Sequence, residues 1–158
     1  MIRVPAEVRR SFRLAVPVGA AFAHLQDVPR WARLFPHVES VDPLPAREGE
    51  VWQWTMEPLG PPGLQVRTVY ACRYTFDAAT RSVTWAPVHG VGNAAFAGGV
   101  TLAEADRQQA EGTLWLEAAL EIPAPRFMAG VVRAALAVEF GRMTDRFLEN
   151  LAKQVRNV

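Results

Sequence analysis

Apolar and polar positions alternate through most of this chain, and the period changes only near its two ends. Between residues 7 and 16, Val8, Arg10, Phe12, Leu14 and Val16 alternate with Arg9, Ser11 and Arg13. Successive side chains of a strand point to opposite faces, so this pattern predicts a half-buried strand. Pro17, which has no backbone N–H to donate, ends it. The Ala-rich stretch 18–26 predicts a short helix. A second short helix is predicted after it, with Asp27 as cap and Pro29 in the first turn. Trp31, Leu34 and Phe35 form its apolar side, and Pro36 closes it.

From residue 37 to 123 the pattern predicts strands near 38–46, 50–57, 64–76, 80–88, 94–105 and 110–122. They are separated by Glu48-Gly49, the Pro/Gly cluster 58–63, Asp77–Thr80, Gly90–Asn93 and Asp106–Gln109. Short turns between consecutive strands imply an antiparallel meander, because a parallel pair needs a long crossover. The alternation assigns an inner face: Trp52, Trp54 and Met56; Leu64, Val66, Tyr70, Cys72, Tyr74 and Phe76; Val83 and Trp85; Phe96, Val100 and Leu102; Leu114, Leu116, Ala118, Leu120 and Ile122. Fully burying a large apolar side chain contributes about 1.5–3 kcal/mol, so this face requires a cover.

The cover is predicted over residues 126–156, a single helix about 45 Å long at 1.5 Å per residue. Leu136, Phe140, Met143, Phe147, Leu151 and Val155 fall on one stripe of it, with Arg142, Asp145, Arg146, Glu149, Lys153 and Arg156 opposite. Gly141 is tolerated at a cost of about 1 kcal/mol. Two features depart from the stripe. Arg133 lies within it, and Phe127, Val131 and Val138 lie on the nominally polar side.

Composition narrows the function classes. The 158 residues suit one domain, 1–158, able to bury about 70% of the surface of its unfolded chain. A formal net charge of +1, with sixteen scattered Arg and the single Lys153, gives no basic patch, and nucleic acid is not an expected partner. One cysteine, Cys72, excludes an internal disulfide and a thiolate zinc cluster. No apolar run approaches the length of a membrane span, and the charged start MIRVPAEVRRSF does not read as a signal peptide. A cytoplasmic location is the expectation.

The order of one strand, two short helices, six strands and one long terminal helix resembles the helix-grip fold of the START and Bet v 1-like superfamily, the polyketide cyclase and lipid-transfer group. Residues 12–41 carry the resemblance, with a strand ending at Pro17, then Asp27, Trp31 four positions on, and Pro36 before the next strand. The resemblance implies an α+β fold in which an antiparallel sheet of about seven strands curves around the C-terminal helix. It also implies a cavity between sheet and helix for a lipid-like or aromatic polyketide-like ligand, bound by a carrier or converted by a cyclase or dehydratase.

The residues expected to line such a cavity are Trp54, Tyr70, Tyr74, Trp85, Phe96, Leu116, Arg133, Leu136 and Phe140. Arg133 has two readings: a side chain that snorkels to water, or a charge at the cavity end that pairs with a polar head on the ligand. Tyr70, Tyr74 or Arg133 would polarise a carbonyl if the protein were an enzyme, but no catalytic residue is assigned. Glu139, at the border of the stripe, is expected to be solvated. His24, His37 and His89 share no ligand spacing and are expected at the surface or at helix ends, so neither metal nor cofactor is expected. Gly90-Val-Gly92-Asn-Ala-Ala95 partly matches a dinucleotide fingerprint, but a strand pattern follows where that motif needs a helix, so it reads as a hairpin loop. Phe127, Val131 and Val138 leave three readings: a transient membrane contact, a dimer contact, or cover by the 58–63 loop. The corresponding functions are ligand carrier, cyclase-type enzyme and interaction module.

Overall fold

A computed structural model describes residues 1–59, 62–63 and 65–156. Seven strands form one sheet: β1 (Ile2–Leu14), β2 (Val38–Leu44), β3 (Glu50–Met56), β4 (Val69–Asp77), β5 (Ser82–Pro87), β6 (Ala94–Asp106) and β7 (Gln109–Ile122). Every adjacent pair is antiparallel, in the order β1-β7-β6-β5-β4-β3-β2. Helices α1 (Val18–Leu25) and α2 (Val28–Ala32) follow β1. A 3-10 turn at Arg126–Met128 leads into α3 (Ala129–Arg156). The expected helix-grip architecture is the observed one.

Local chemistry sets the boundaries. Asp27 caps α2 by accepting a 3.3 Å hydrogen bond from the backbone N–H of Arg30, with proline in the first turn. Asp77 accepts from the N–H groups of Ala79 and Thr80 in the β4–β5 turn. Asp106 does the same for Gln108 between β6 and β7. The Gly90–Asn93 stretch is a loop, with positive φ at Gly90 and Gly92, and it runs directly into β6. A Cβ on Gly92 would meet the Val69 carbonyl oxygen at 1.9 Å, so only glycine fits there. Asn93 ties this loop to the start of β4, accepting from Val69 N–H and donating to the Arg67 carbonyl, both at 2.9 Å.

Two strands depart from the expected spans. The first begins at Ile2 rather than residue 7 and pairs with β7 along its whole length, burying Ile2 and Val4. It ends at Leu14, before Val16. The strand expected over 64–76 begins only at Val69. Ahead of it Val66 makes an isolated bridge with Leu59, and the expectation for Leu64 lies outside the described residues. Thr68 and Val66 still bond to Met56 and Leu59 opposite them, outside the regular strand.

The core lies between the inner sheet face and α3. Phe140, Thr144, Phe147, Leu151 and Val155 are the buried residues of that helix, so its C-terminal half carries the packing. Its N-terminal half overhangs. Phe127, Val131 and Val138 are 87%, 71% and 62% exposed, and no described residue of the 58–63 loop covers them. His24 stands in the last turn of α1, as expected of a helix-end residue, and is buried there, its Nε2 hydrogen-bonded to Oε1 of Gln154 on α3. His89 is exposed, and His37 sits 3.4 Å from a Glu57 carboxylate oxygen. No cluster of metal-ligating side chains occurs among the described residues. No described helix is long and apolar enough to cross a membrane.

Candidate functional site

Between the sheet and the middle of α3 the packing leaves a cavity of about 110 Å³. A single water needs only about 15 Å³, so this space is large enough for an organic ligand. Each neighbouring element contributes to the wall: Trp31 and Phe35 from α2 and its exit, Trp54 and Met56 from β3, Tyr70 and Tyr74 from β4, Trp85 from β5, Phe96 from β6, Leu116 and Leu120 from β7. Helix α3 closes it with Leu136, Glu139, Phe140, Met143 and Thr144, and Leu59 and Thr68 complete the rim. Eight of the seventeen lining residues are aromatic.

These rings brace one another. Trp31 packs against Trp54, Tyr74, Trp85 and Phe147 with centroid separations of 5.6–6.0 Å. Tyr70 stacks between Trp54 at 5.6 Å and Phe96 at 4.1 Å, and Phe96 reaches Phe140 at 6.0 Å. Offset and edge contacts of this kind contribute about 0.5–1.5 kcal/mol each beyond their buried area, which fixes the wall in place.

The polar groups of the wall divide into those already occupied and those left over. Trp31 Nε1 donates to the Leu25 carbonyl at 2.9 Å, and Thr144 Oγ1 to the Phe140 carbonyl at 2.8 Å. Trp54 Nε1 donates to the Tyr74 hydroxyl at 2.8 Å. The buried Cys72 thiol donates to the Phe96 carbonyl at 3.3 Å. Burial pushes the Cys72 thiol up to about 12, and desolvation also raises both tyrosines well above their ordinary value. At neutral pH all three are protonated. The Tyr70 hydroxyl has no hydrogen-bond partner among the described residues, and neither has Trp85 Nε1. Glu139 is the one charged side chain on the wall. It is 36% exposed and meets Arg142, one turn on, at 3.4 Å.

Of the residues read from the sequence as cavity-lining, Trp54, Tyr70, Tyr74, Trp85, Phe96, Leu116, Leu136 and Phe140 surround this one space. Arg133 does not. It is exposed and absent from the wall, because the helix stripe leaves the core before its first turns. Glu139, expected in solvent, is partly exposed and also borders the cavity. Trp31, Phe35 and Met143 were legible as apolar faces of their helices, yet nothing in the pattern brought them to the same place. Leu59 and Thr68 sit on irregular backbone and carry no periodic signal.

Residues 5–156 match the family described as polyketide cyclase / dehydrase and lipid transport. The chain belongs to this family. Solved structures of the same fold include the Zhui aromatase/cyclase from Streptomyces sp. R1128, with 18% identity, a TM-score of 0.72, and 96% of this chain aligned to 94% of that one. A START superfamily protein from Mycobacterium smegmatis has 12% identity and a TM-score of 0.70, over 96% and 97% of the two chains. A norcoclaurine synthase point mutant from Thalictrum flavum, in complex with a transition-state analogue, has 12% identity and a TM-score of 0.64, over 99% and 98%. No curated protein matches the sequence. At these identities the likeness is one of fold, and the fold hosts several chemistries.

Proposed function

We propose that the protein binds a small aromatic molecule in the cavity under α3 and acts as its carrier. The observation that supports this reading is a cavity wall built of eight braced aromatic rings with few spare polar groups. Ligand sites are mostly apolar with a small number of placed polar groups. Size narrows the class: drug-sized sites run to roughly 300–1,000 Å³, whereas this cavity of about 110 Å³ is nearer the roughly 150 Å³ apolar cavity that takes benzene. A ligand of one or two rings suits it better than a long acyl chain. In this reading Trp54, Tyr70, Tyr74, Trp85, Phe96, Leu116, Leu136 and Phe140 form the contact surface, and the Tyr70 hydroxyl donates to one oxygen of the ligand.

Native mass spectrometry of the freshly purified protein, with organic extraction of the bound material, tests this. A discrete aromatic mass supports it. An empty protein that also shows no saturable change in tryptophan emission with one- and two-ring aromatics rejects it.

One observation favours a second reading, a cyclase- or dehydratase-type enzyme: the Tyr70 hydroxyl and the Glu139 carboxylate border the same cavity, a possible donor and acceptor for proton transfer. Turnover of the extracted molecule, lost in both Tyr70→Phe and Glu139→Gln, would favour the enzyme. Binding without turnover favours the carrier.

A further inference from the structure

Among the described residues the one charged group on a mostly apolar, aromatic-rich wall is the carboxylate of Glu139. We propose that the cavity selects an aromatic amine, with the ring inside and the protonated nitrogen at the rim beside Glu139. This rests on the reading of the cavity as an aromatic-ligand site and adds the ligand's charge to it.

Three observations carry the inference. The first is position. Glu139 lies on α3 between Leu136 and Met143, all three half-buried wall residues, so it borders the cavity where the wall is partly exposed and not at the buried Trp31, Tyr74 and Trp85. A cation held there keeps part of its hydration, which avoids the large cost of burying a charge fully. The second is the weakness of the resident partner. Arg142 reaches Glu139 only at 3.4 Å and is itself 73% exposed. An exposed pair of this kind contributes at most about 1 kcal/mol, so a ligand ammonium can displace the guanidinium. The third is the wall. Aromatic faces carry negative potential and attract cations within about 6 Å of the ring centre. Phe140 follows Glu139 on the helix, and Phe96 lies 6.0 Å from Phe140. A carboxylate on the same wall as these rings repels an anionic ligand and favours a cationic one. No other charged residue lines the cavity among the described residues.

The test compares an isosteric pair, 2-phenylethylamine and 2-phenylethanol, titrated at pH 7 into the full chain by calorimetry. The amine should bind on the order of tenfold more tightly, which is about 1.4 kcal/mol. Glu139→Gln should remove that preference, the amine's affinity falling to that of the alcohol. Arg142→Ala should increase it, and added salt should erode it in the native protein. Equal affinities for the pair, or a preference that survives in Glu139→Gln, would overturn the selection of amines while leaving the aromatic-ligand reading in place. Binding of neither compound would overturn both. Circular dichroism of the Gln variant, compared with the native chain, separates lost selectivity from lost fold.

Discussion

The indole of Trp85 covers the backbone of Gly98, its antiparallel partner on β6: a Cβ placed on Gly98 would lie 2.6 Å from the six-membered ring. The same Cβ would lie 2.7 Å from the Trp115 carbonyl oxygen. Glycine at this site is therefore what allows a large ring to lie across the inner face of the sheet and line the cavity.

Gly98→Ala should accordingly destabilise the protein by about 1–3 kcal/mol, the usual cost of overpacking, and should push Trp85 toward the cavity. Urea unfolding followed by circular dichroism measures the first effect, and a blue or red shift of tryptophan emission the second. Gly19→Ala provides the contrast. Nothing lies within 4 Å of a Cβ there, on α1, so it should stabilise by about 0.4–1 kcal/mol.

The two tyrosines should respond in opposite ways to loss of the hydroxyl. Tyr74→Phe removes the acceptor of the buried Trp54 Nε1–H and should cost about 1–3 kcal/mol in thermal or urea unfolding. Tyr70→Phe removes a hydroxyl without a partner among the described residues and should leave stability within about 0.5 kcal/mol. It should weaken binding of any aromatic ligand that carries an oxygen at that point. A double-mutant comparison of stability and affinity separates the two roles.

Alkaline titration has a defined sign. Both tyrosines of the chain are buried, and desolvation raises each above its ordinary value of 10.0. In the unfolded chain they ionise near pH 10, so they bind more protons folded than unfolded once the pH passes that point. Their contribution to stability is fully present below pH 10 and is lost as pH rises further. Tyrosinate absorbance near 295 nm should therefore be absent from the folded protein at pH 10 and should appear together with loss of circular dichroism. Cys72, buried and raised to about 12, should likewise resist alkylation until the protein unfolds.

Blocking the opening should abolish ligand uptake at little cost in stability. Leu136 is half-buried on the rim, so Leu136→Trp should leave the unfolding free energy within about 1 kcal/mol while eliminating the tryptophan-emission response to aromatic ligands. A response of unchanged amplitude would mean that ligands enter elsewhere.

Most of the fold was legible in the chain because its signals are local. Alternation in 110–122 marked Leu114, Leu116 and Ala118 as inward, and they are buried. Asp27 followed by proline marked the start of α2, and the cap is there. Where backbone is irregular the signal failed. The alternation read over 64–76 takes in Val66 and Thr68, which pair with Leu59 and Met56 outside the regular strand, because pairing there depends on the partner segment and not on side-chain pattern. His24 is the helix-end histidine the pattern implies, but its burial against Gln154, 130 residues away, has no local signal.

The chain by itself determined the period of each segment, and with it the seven strands, three helices and the faces they turn inward, since these depend on neighbours within a few residues. It also placed eight of its nine candidate residues around one space. Only the tertiary structure decided how far α3 stays in contact with the sheet. The helix is buried from Phe140 onward, with only Leu136 and Glu139 reaching the cavity wall ahead of it, which leaves Arg133 in solvent. Helical periodicity assigns a residue its angle around the axis, but its depth depends on where the curved sheet ends beneath it. That boundary is set by strand lengths and register across the whole chain.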